Sequence, residues 1–165
     1  GESAGERVDD DTCPQPSDVQ GQVLLNMETL WQQAYPSECV VVRPTGIYGT
    51  SVTRMIKLAE TTKSYPKLHW SNRIHIDDLV AFLAHLLHVE HTEKSYICSN
   101  SQPLPLHEII QWFQQQLGFP ALVLESNMPS GKQIYATRMQ QMNFELQHPH
   151  CFDDYLALLA ERESK

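Results

Sequence analysis

The chain has 165 residues, of which 41% are hydrophobic and 19% are charged, a composition that can supply one compact domain with its own core. Its 20 acidic and 12 basic residues give a net charge of −8 at pH 7. No basic cluster interrupts this acidic excess, so the composition argues against nucleic acid and against an anionic membrane as partners.

The same composition makes the cytoplasm the expected location. No apolar run approaches the ~20 residues of a membrane span, and the first residues do not form a signal sequence. The cysteines lie far apart without a C-x-x-C pair, so we expect reduced thiols rather than disulfides. They are Cys13, Cys39, Cys98 and Cys151.

The N-terminal part is predicted to be an arm followed by a helix. Residues 1–16 are polar and contain three aspartates in a row, which indicates a loop or arm without a core of its own. Ser17 and Gln20 form the pattern of a capping box with Ser17 as the N-cap. Apolar residues then recur at helical spacing, which predicts an amphipathic helix over residues 18–34 that ends at Tyr35-Pro36.

Strands and helices alternate along the rest of the chain. The β-branched run at 39–43 and the segment SYICS at 95–99 predict two buried strands of one parallel sheet. Further short strands are predicted at 73–76, 121–124 and 144–147, with a turn-rich connection at 127–132. Helices are predicted at 52–62, 77–89 with Asp77 as N-cap, 105–117 with Gly118 as C-cap, near 135–142, and at 152–163. This alternation predicts an α/β fold.

Two segments carry a resemblance to a known family: residues 40–49 (VVVRPTGIYG), an apolar strand that runs into a glycine-containing turn, and residues 72–79 (NRIHIDDL), a short strand that stops at two aspartates. Together they resemble the C-terminal half of an extended short-chain dehydrogenase/reductase, the family of sugar-nucleotide epimerases and dehydratases. Within that family they are most similar to atypical bacterial members of the YeeZ type.

The resemblance implies a fold and a set of ligands. The chain would be a single domain, residues 1–165, holding the C-terminal half of a Rossmann-like parallel sheet and the small α/β substrate-binding subdomain. The complete protein would bind NAD or NADP and a small-molecule substrate of the nucleotide-sugar type. The chain alone is expected to bind no cofactor and to associate with its own N-terminal half or with a second copy.

Candidate site residues follow from the same two segments. The turn Arg43, Pro44, Thr45, Gly46 and Tyr48 follows a parallel strand, at the edge of the sheet where ligands bind in open α/β folds. Arg73 and His75 alternate with apolar residues and share a face of their strand. The alternatives are structural: Arg43 as an ion-pair partner, Tyr48 as a packing residue and His75 as a hydrogen-bonded histidine.

One departure from the family concerns its catalytic Tyr-x-x-x-Lys, in which the tyrosine is the general acid/base and the lysine lowers its pKa. Aligning Glu28 with the glutamate that often follows this motif places Leu24 at the lysine and Gln20 at the tyrosine. Neither residue can do that chemistry, so the catalytic residues remain unknown. The alternative function is a non-catalytic NAD(P)-sensing or scaffold protein of the same fold.

Other motifs give weaker indications. The fingerprint G-x-x-G-x-x-G is absent, and Ser130-Gly131-Lys132 alone indicates a plain turn rather than a phosphate loop. Two histidine-rich stretches, 85–91 and 148–151, raise a third hypothesis of a metal-assisted α/β enzyme. Their spacing is poor for chelation, and we predict no metal site.

Overall fold

The computed structural model of the protein describes residues 4–163. Its helices are α1 (Val19–Ala34), α2 (Thr53–Thr61), α3 (Ile76–Leu86), α4 (Leu106–Leu117), α5 (Thr137–Gln141) and α6 (Cys151–Glu163). Its strands are β1 (Ala4–Val8), β2 (Val41–Pro44), β3 (Gly46–Tyr48), β4 (Ser64–Tyr65), β5 (Leu68–Ser71), β6 (Arg73–His75), β7 (Ser95–Cys98), β8 (Leu104–Pro105), β9 (Val123–Leu124) and β10 (Pro129–Ile134). This is the mixed α/β, Rossmann-like arrangement that the sequence predicts.

The predicted parallel pair is present. β2 pairs with β7 in parallel register, with Val42 opposite Tyr96, which confirms that residues 39–43 and 95–99 contribute to one sheet. β3 pairs with β6, also in parallel. Within residues 4–163, β2 is hydrogen-bonded to a strand along one edge only.

A four-stranded sheet, with the order β1-β10-β5-β8, corrects two predictions. Residues 4–8 are a strand and not part of a loop, because β1 pairs in parallel with β10. Residues 129–134 are a strand rather than the turn-rich connection that was predicted. Both segments are polar, so their pairing depends on the tertiary structure and not on local propensity. The predicted strand at 144–147 does not form.

Helix α1 begins one residue later than predicted. The N-cap is Asp18, whose Oδ1 accepts a hydrogen bond of 2.7 Å from the N–H of Gly21, and so Ser17 is not the cap. The apolar residues of α1 are largely exposed: Leu24 by 60%, Leu30 by 64% and Trp31 by 55%. The described part of the chain therefore leaves the apolar face of this helix uncovered.

Helix α3 is capped by a residue of the preceding strand. The N-cap is His75, whose Nδ1 accepts a hydrogen bond of 3.2 Å from the N–H of Asp77, so the prediction that Asp77 is the cap was wrong. Asp78 is buried and accepts hydrogen bonds from the backbone N–H groups of Gln147 and His148, at 2.8 and 3.0 Å. One carboxylate thereby fixes the segment that leads into α6.

Two apolar clusters form the core. One lies between α3, β7 and α5 and includes Ile74, Phe82 and Met139. The other lies between α2, α4 and α6 and includes Phe113 and Tyr155. Over residues 4–163, no helix combines the length and the apolarity needed to cross a membrane.

Candidate functional site

A cavity of about 500 Å³ opens where β2 ends. Four of the predicted site residues line it, namely Arg43, Pro44, Thr45 and Gly46. These residues form the junction of β2 and β3 rather than the predicted turn. Their backbone is fixed, because the N–H of Thr45 donates to the carbonyl of Cys98 and the N–H of Gly46 donates to that of Asn72, each at 3.0 Å. The junction therefore presents a rigid wall at the carboxyl end of a parallel strand.

Arg43 is held by a carboxylate of α1. Its Nε donates to the two carboxylate oxygens of Glu28 at 3.0 and 3.1 Å, and its Nη2 also pairs with that carboxylate. The hydrogen bond to Glu28 raises the pKa of Arg43 further above its usual value. The alternative interpretation of Arg43 as an ion-pair partner is thus correct. The residue also lines the cavity.

The opposite wall is the segment 6–15, which the sequence had indicated as a loop without a core. Asp10 attaches it to the domain: Oδ1 accepts from the N–H of Ile97 at 2.6 Å, and Oδ2 accepts from the N–H of Arg138 and the hydroxyl of Thr137. Asp11 adds an exposed ion pair with Arg138. No residue pattern in the sequence indicated these anchors, because their partners lie about a hundred residues away.

The remaining predicted site residues lie outside this cavity. Tyr48 donates its hydroxyl hydrogen to Asp154 of α6 at 2.6 Å and contacts the ring of His75 edge-on. His75 in turn stacks on His148, with ring centroids 3.6 Å apart. Tyr48 and His75 thus form a packed cluster that joins β3 and β6 to the start of α6.

Asp154 raises the pKa of two side chains, Tyr48 and His148. Its Oδ1 lies 2.6 Å from Nδ1 of His148, and this hydrogen bond raises the pKa of His148 above its usual value. Burial, together with the hydrogen bond to the Asp154 carboxylate, raises the pKa of Tyr48. Tyr48 therefore serves as a hydrogen-bond donor to this carboxylate.

Arg73 is a buried cation, only 6% exposed. Its Nε donates to the hydroxyl of Tyr155 at 3.1 Å and its Nη2 donates to that of Ser71 at 3.0 Å. Nη1 has no hydrogen-bond partner among the described residues. Arg73 thus connects β6 to α6 and does not reach the cavity.

The ligand atoms of His75, Asp77 and His148 lie within 4.8 Å of one another, as a metal site would require. Their geometry does not fit one. The two rings are nearly parallel, at 16°, so their in-plane lone pairs run side by side instead of converging. Nδ1 of His75 also accepts the capping hydrogen bond from Asp77. The two histidines of the stretch 148–151 do not converge on one point either. The ring of His148 is hydrogen-bonded to Asp154 and that of His150 to Gln102.

Comparison with known proteins identifies the fold family. A protein from Methylobacillus flagellatus, assigned as an NAD-dependent epimerase/dehydratase, superposes with a TM-score of 0.83 at 32% sequence identity, over 99% of this chain and 60% of that one. The chain has the fold of the C-terminal part of an NAD-dependent epimerase/dehydratase. The matched region is the C-terminal part of an atypical extended short-chain dehydrogenase/reductase. The chain spans about 60% of the length of the Methylobacillus flagellatus protein.

More distant epimerase/dehydratases share the fold. The dTDP-glucose 4,6-dehydratase of Bacillus anthracis, in complex with NAD, matches with a TM-score of 0.74 at 14% identity, over 96% of this chain and 57% of its own. The UDP-glucuronic acid 4-epimerase of Bacillus cereus, also in complex with NAD, matches with 0.66 at 13%, over 88% and 52%. No protein-family model matches the sequence. No curated protein matches it either.

The Tyr-x-x-x-Lys of the epimerase/dehydratases would fall on α1 of this chain. Gln20 and Leu24 stand there, both exposed. Leu24 lines a second, smaller cavity of about 310 Å³. The two cavities adjoin, because Pro14, Gln15, Arg43 and Lys132 line both. Lys132, which the sequence indicated only as part of a turn, is therefore a cavity residue that the motifs did not reveal.

Proposed function

We propose that the complete protein is an NAD(P)-dependent epimerase/dehydratase-like or oxidoreductase-like protein that binds a nucleotide-sugar-type substrate in the 500 Å³ cavity. The observation that carries this proposal is the position of the junction 43–46, which lines a cavity at the carboxyl end of β2 in a chain 32% identical to a relative assigned to this family. The NAD complexes of the dehydratase and of the epimerase support the choice of cofactor.

The described residues supply part of such a site. No described strand is followed by a glycine-rich turn that opens a helix, so residues 4–163 offer no cradle of that kind for the pyrophosphate of a dinucleotide. We therefore assign the junction 43–46 to the substrate and derive no step through the cofactor. Pro44 and Thr45 provide an apolar wall, and Glu28 holds Arg43 in place as a hydrogen-bond donor at its rim.

The test uses a joined protein, in which an N-terminal nucleotide-binding half of this fold precedes the 165-residue chain. We expect the joined protein to bind NADH or NADPH, which quenches tryptophan fluorescence and enhances nicotinamide fluorescence, with a dissociation constant in the micromolar range. The 165-residue chain is the control and should bind neither cofactor. A joined protein that binds neither NADH nor NADPH would overturn the proposal.

A second candidate function is a non-catalytic NAD(P)-sensing or scaffold protein. Gln20 and Leu24 favour it, because they provide no titratable group where the family has its acid/base pair. The two functions differ in turnover. A joined protein that binds cofactor but converts none of a panel of nucleotide sugars, and reduces or oxidises no cofactor with them, would support the second function.

A further inference from the structure

A groove of about 650 Å³ is lined by one face of α4, the segment that follows it and the beginning of α6. We call it the α4 groove, and it shares no lining residue with the two cavities described above. Its side chains include three aromatic rings, one carboxylate and two amides, namely Trp112, Phe119, Phe152, Glu108, Gln111 and Gln115. Sites for small molecules measure about 300–1,000 Å³, so the α4 groove has room for one.

The aromatic residues of the α4 groove are fixed and recessed. The ring of Trp112 packs against the buried ring of Phe113 and against Phe152, with centroids 5.0 and 5.2 Å away. Trp112, Phe119 and Phe152 are all half-buried. Surfaces that bind protein partners expose broad apolar patches, whereas recessed rings are reached by a ligand that can enter between the helices. The groove therefore favours a small ligand over a protein partner.

The charge of the α4 groove is negative. Glu108 lies one helical turn before Trp112 on the same face of α4, and within residues 4–163 no lysine, arginine or histidine lines the groove. Asp153, which follows Phe152 in the chain, adds a second exposed carboxylate. A carboxylate in the first turn of a helix is favourable by itself, so the indication of a ligand comes from its combination with the rings. Together they attract a cation and repel an anion.

This combination selects one class of cation. Metal ions such as Ca²⁺ and Mg²⁺ need several oxygen ligands, and the groove offers a single carboxylate. The amide of Gln111 is partly committed, because its Nε2 donates to the carbonyl of Leu122 at 3.1 Å. An organic ammonium ion needs no such shell, since aromatic rings attract its charge and contact its alkyl groups.

We propose that the α4 groove binds a small organic cation that carries alkyl groups on its nitrogen. The positive charge lies beside Glu108, and the alkyl groups contact the aromatic rings. This site is separate from the cavity of the proposed function and does not depend on it.

The test follows the indole N–H signal of Trp112 in a proton–nitrogen correlation NMR spectrum of the 165-residue chain, assigned with Trp112→Phe. The probes are choline and neohexanol, the neutral alcohol in which a carbon atom replaces the quaternary nitrogen of choline. We expect choline to shift this signal with a dissociation constant in the millimolar range. Neohexanol has the same shape without the charge and should bind about fivefold more weakly.

Three variants locate the site. Glu108→Gln should weaken choline binding about fivefold and leave neohexanol binding unchanged, because only the charge is removed. Phe152→Leu keeps an apolar side chain without the ring and should weaken choline binding as well. Glu38→Gln removes the same charge at an exposed position outside the groove, and as the matched control it should bind choline like the wild type. Circular dichroism checks that each variant is folded.

Each of four outcomes would overturn the inference. They are an indole signal of Trp112 that millimolar choline does not shift, equal affinity for choline and neohexanol, equal choline binding by Glu108→Gln and Glu38→Gln, or tighter binding of a blocked Gly-Lys-Gly peptide than of choline. The last outcome would assign the groove to a protein partner. No cofactor enters this test, so its result is independent of whether the joined protein binds NADH or NADPH.

Discussion

The carboxylate of Asp10 accepts a hydrogen bond of 2.6 Å from the backbone N–H of Ile97, although 87 residues separate them. Its other oxygen accepts from the first turn of α5. One acidic side chain thus ties the wall of the cavity to both β7 and α5. A carboxylate beside helix N–H groups is also favoured by the helix dipole.

We predict that Asp10→Asn destabilises the fold by about 1.5–3 kcal/mol, the usual worth of hydrogen bonds to a charged group. Asn keeps one acceptor but cannot replace the second oxygen. The control is Asp11→Asn, which breaks only an exposed ion pair and should cost less than about 1 kcal/mol. Urea unfolding followed by circular dichroism measures both, and equal losses for the two variants would contradict the prediction.

The hydrogen bond between His148 and Asp154 predicts a pH dependence of stability. The pKa of His148 is raised above 6.5 in the folded protein, so the folded state holds the proton more tightly than the unfolded state does. This stabilisation is complete below about pH 6 and is lost as pH rises through the raised pKa. Groups around the ring are Asp154, Asp77, Asp78 and His75.

We therefore expect the midpoint temperature of thermal unfolding to decrease as the pH rises from about 6 to about 8. His148→Gln should make this decrease with pH less steep. His91→Gln, at an exposed position, is the control and should keep the slope of the wild type. Thermal melts at intervals of half a pH unit make the measurement. A slope unaffected by His148→Gln would show that other groups cause the dependence.

Position 49 has room only for glycine, because the ring of His75 lies against it. Its φ is +116°, and a Cβ built there would lie 2.3 Å from Nε2 of the imidazole. Gly49→Ala should therefore cost at least the 1–3 kcal/mol typical of such backbone strain, in addition to the clash. Gly118 also has a positive φ, +71°, but no atom lies within 4 Å of its Cβ position. Urea unfolding should thus rank Gly49→Ala as more damaging than Gly118→Ala, and the reverse order would contradict the clash.

Gln20 should be dispensable for any activity. It lies on α1 at the position of the family's tyrosine but carries no titratable proton. Gln20→Ala in the joined protein should leave kcat/KM nearly unchanged. A hundredfold loss, on the scale of acid–base residues, would show that the amide takes part in the reaction.

The exposed apolar face of α1 predicts association. Leu30 and Trp31 are more than half exposed, and β2 beside them is paired along one edge only in the described part of the chain. We propose that this surface binds the N-terminal half or, without it, a second copy. Static light scattering should show that the 165-residue chain self-associates and that Leu30→Glu with Trp31→Glu weakens this. Leu87→Glu, at an 85% exposed site, is the control; a monomeric wild-type chain would contradict the prediction.

The helices and strands that depend on local sequence patterns were largely predicted from the sequence. Apolar periodicity located α2, α4 and α6 to within about a residue at each end, and the two motifs predicted β2 and β6. Residues 46–48, which were predicted as part of a turn, form β3 instead, because they pair with β6. The pairings that complete the site depend on distant partners. Tyr48 and Asp154 are 106 residues apart, and no pattern near Tyr48 indicates an acceptor. In α1 the pattern predicted a helix correctly but could not show that its apolar face lies open.

The cavity joins segments that lie far apart in the chain, from residues 6–15 to Ile134. Nε2 of Gln133 donates to the carbonyl of Gly5 at 2.9 Å across 128 residues of sequence, beside the ladder that joins β1 to β10. Contacts of such long range carry a loop-closure entropy that the pairing of the two strands has to offset. A ligand that binds this cavity only when β1 is paired with β10 would therefore stabilise that pairing.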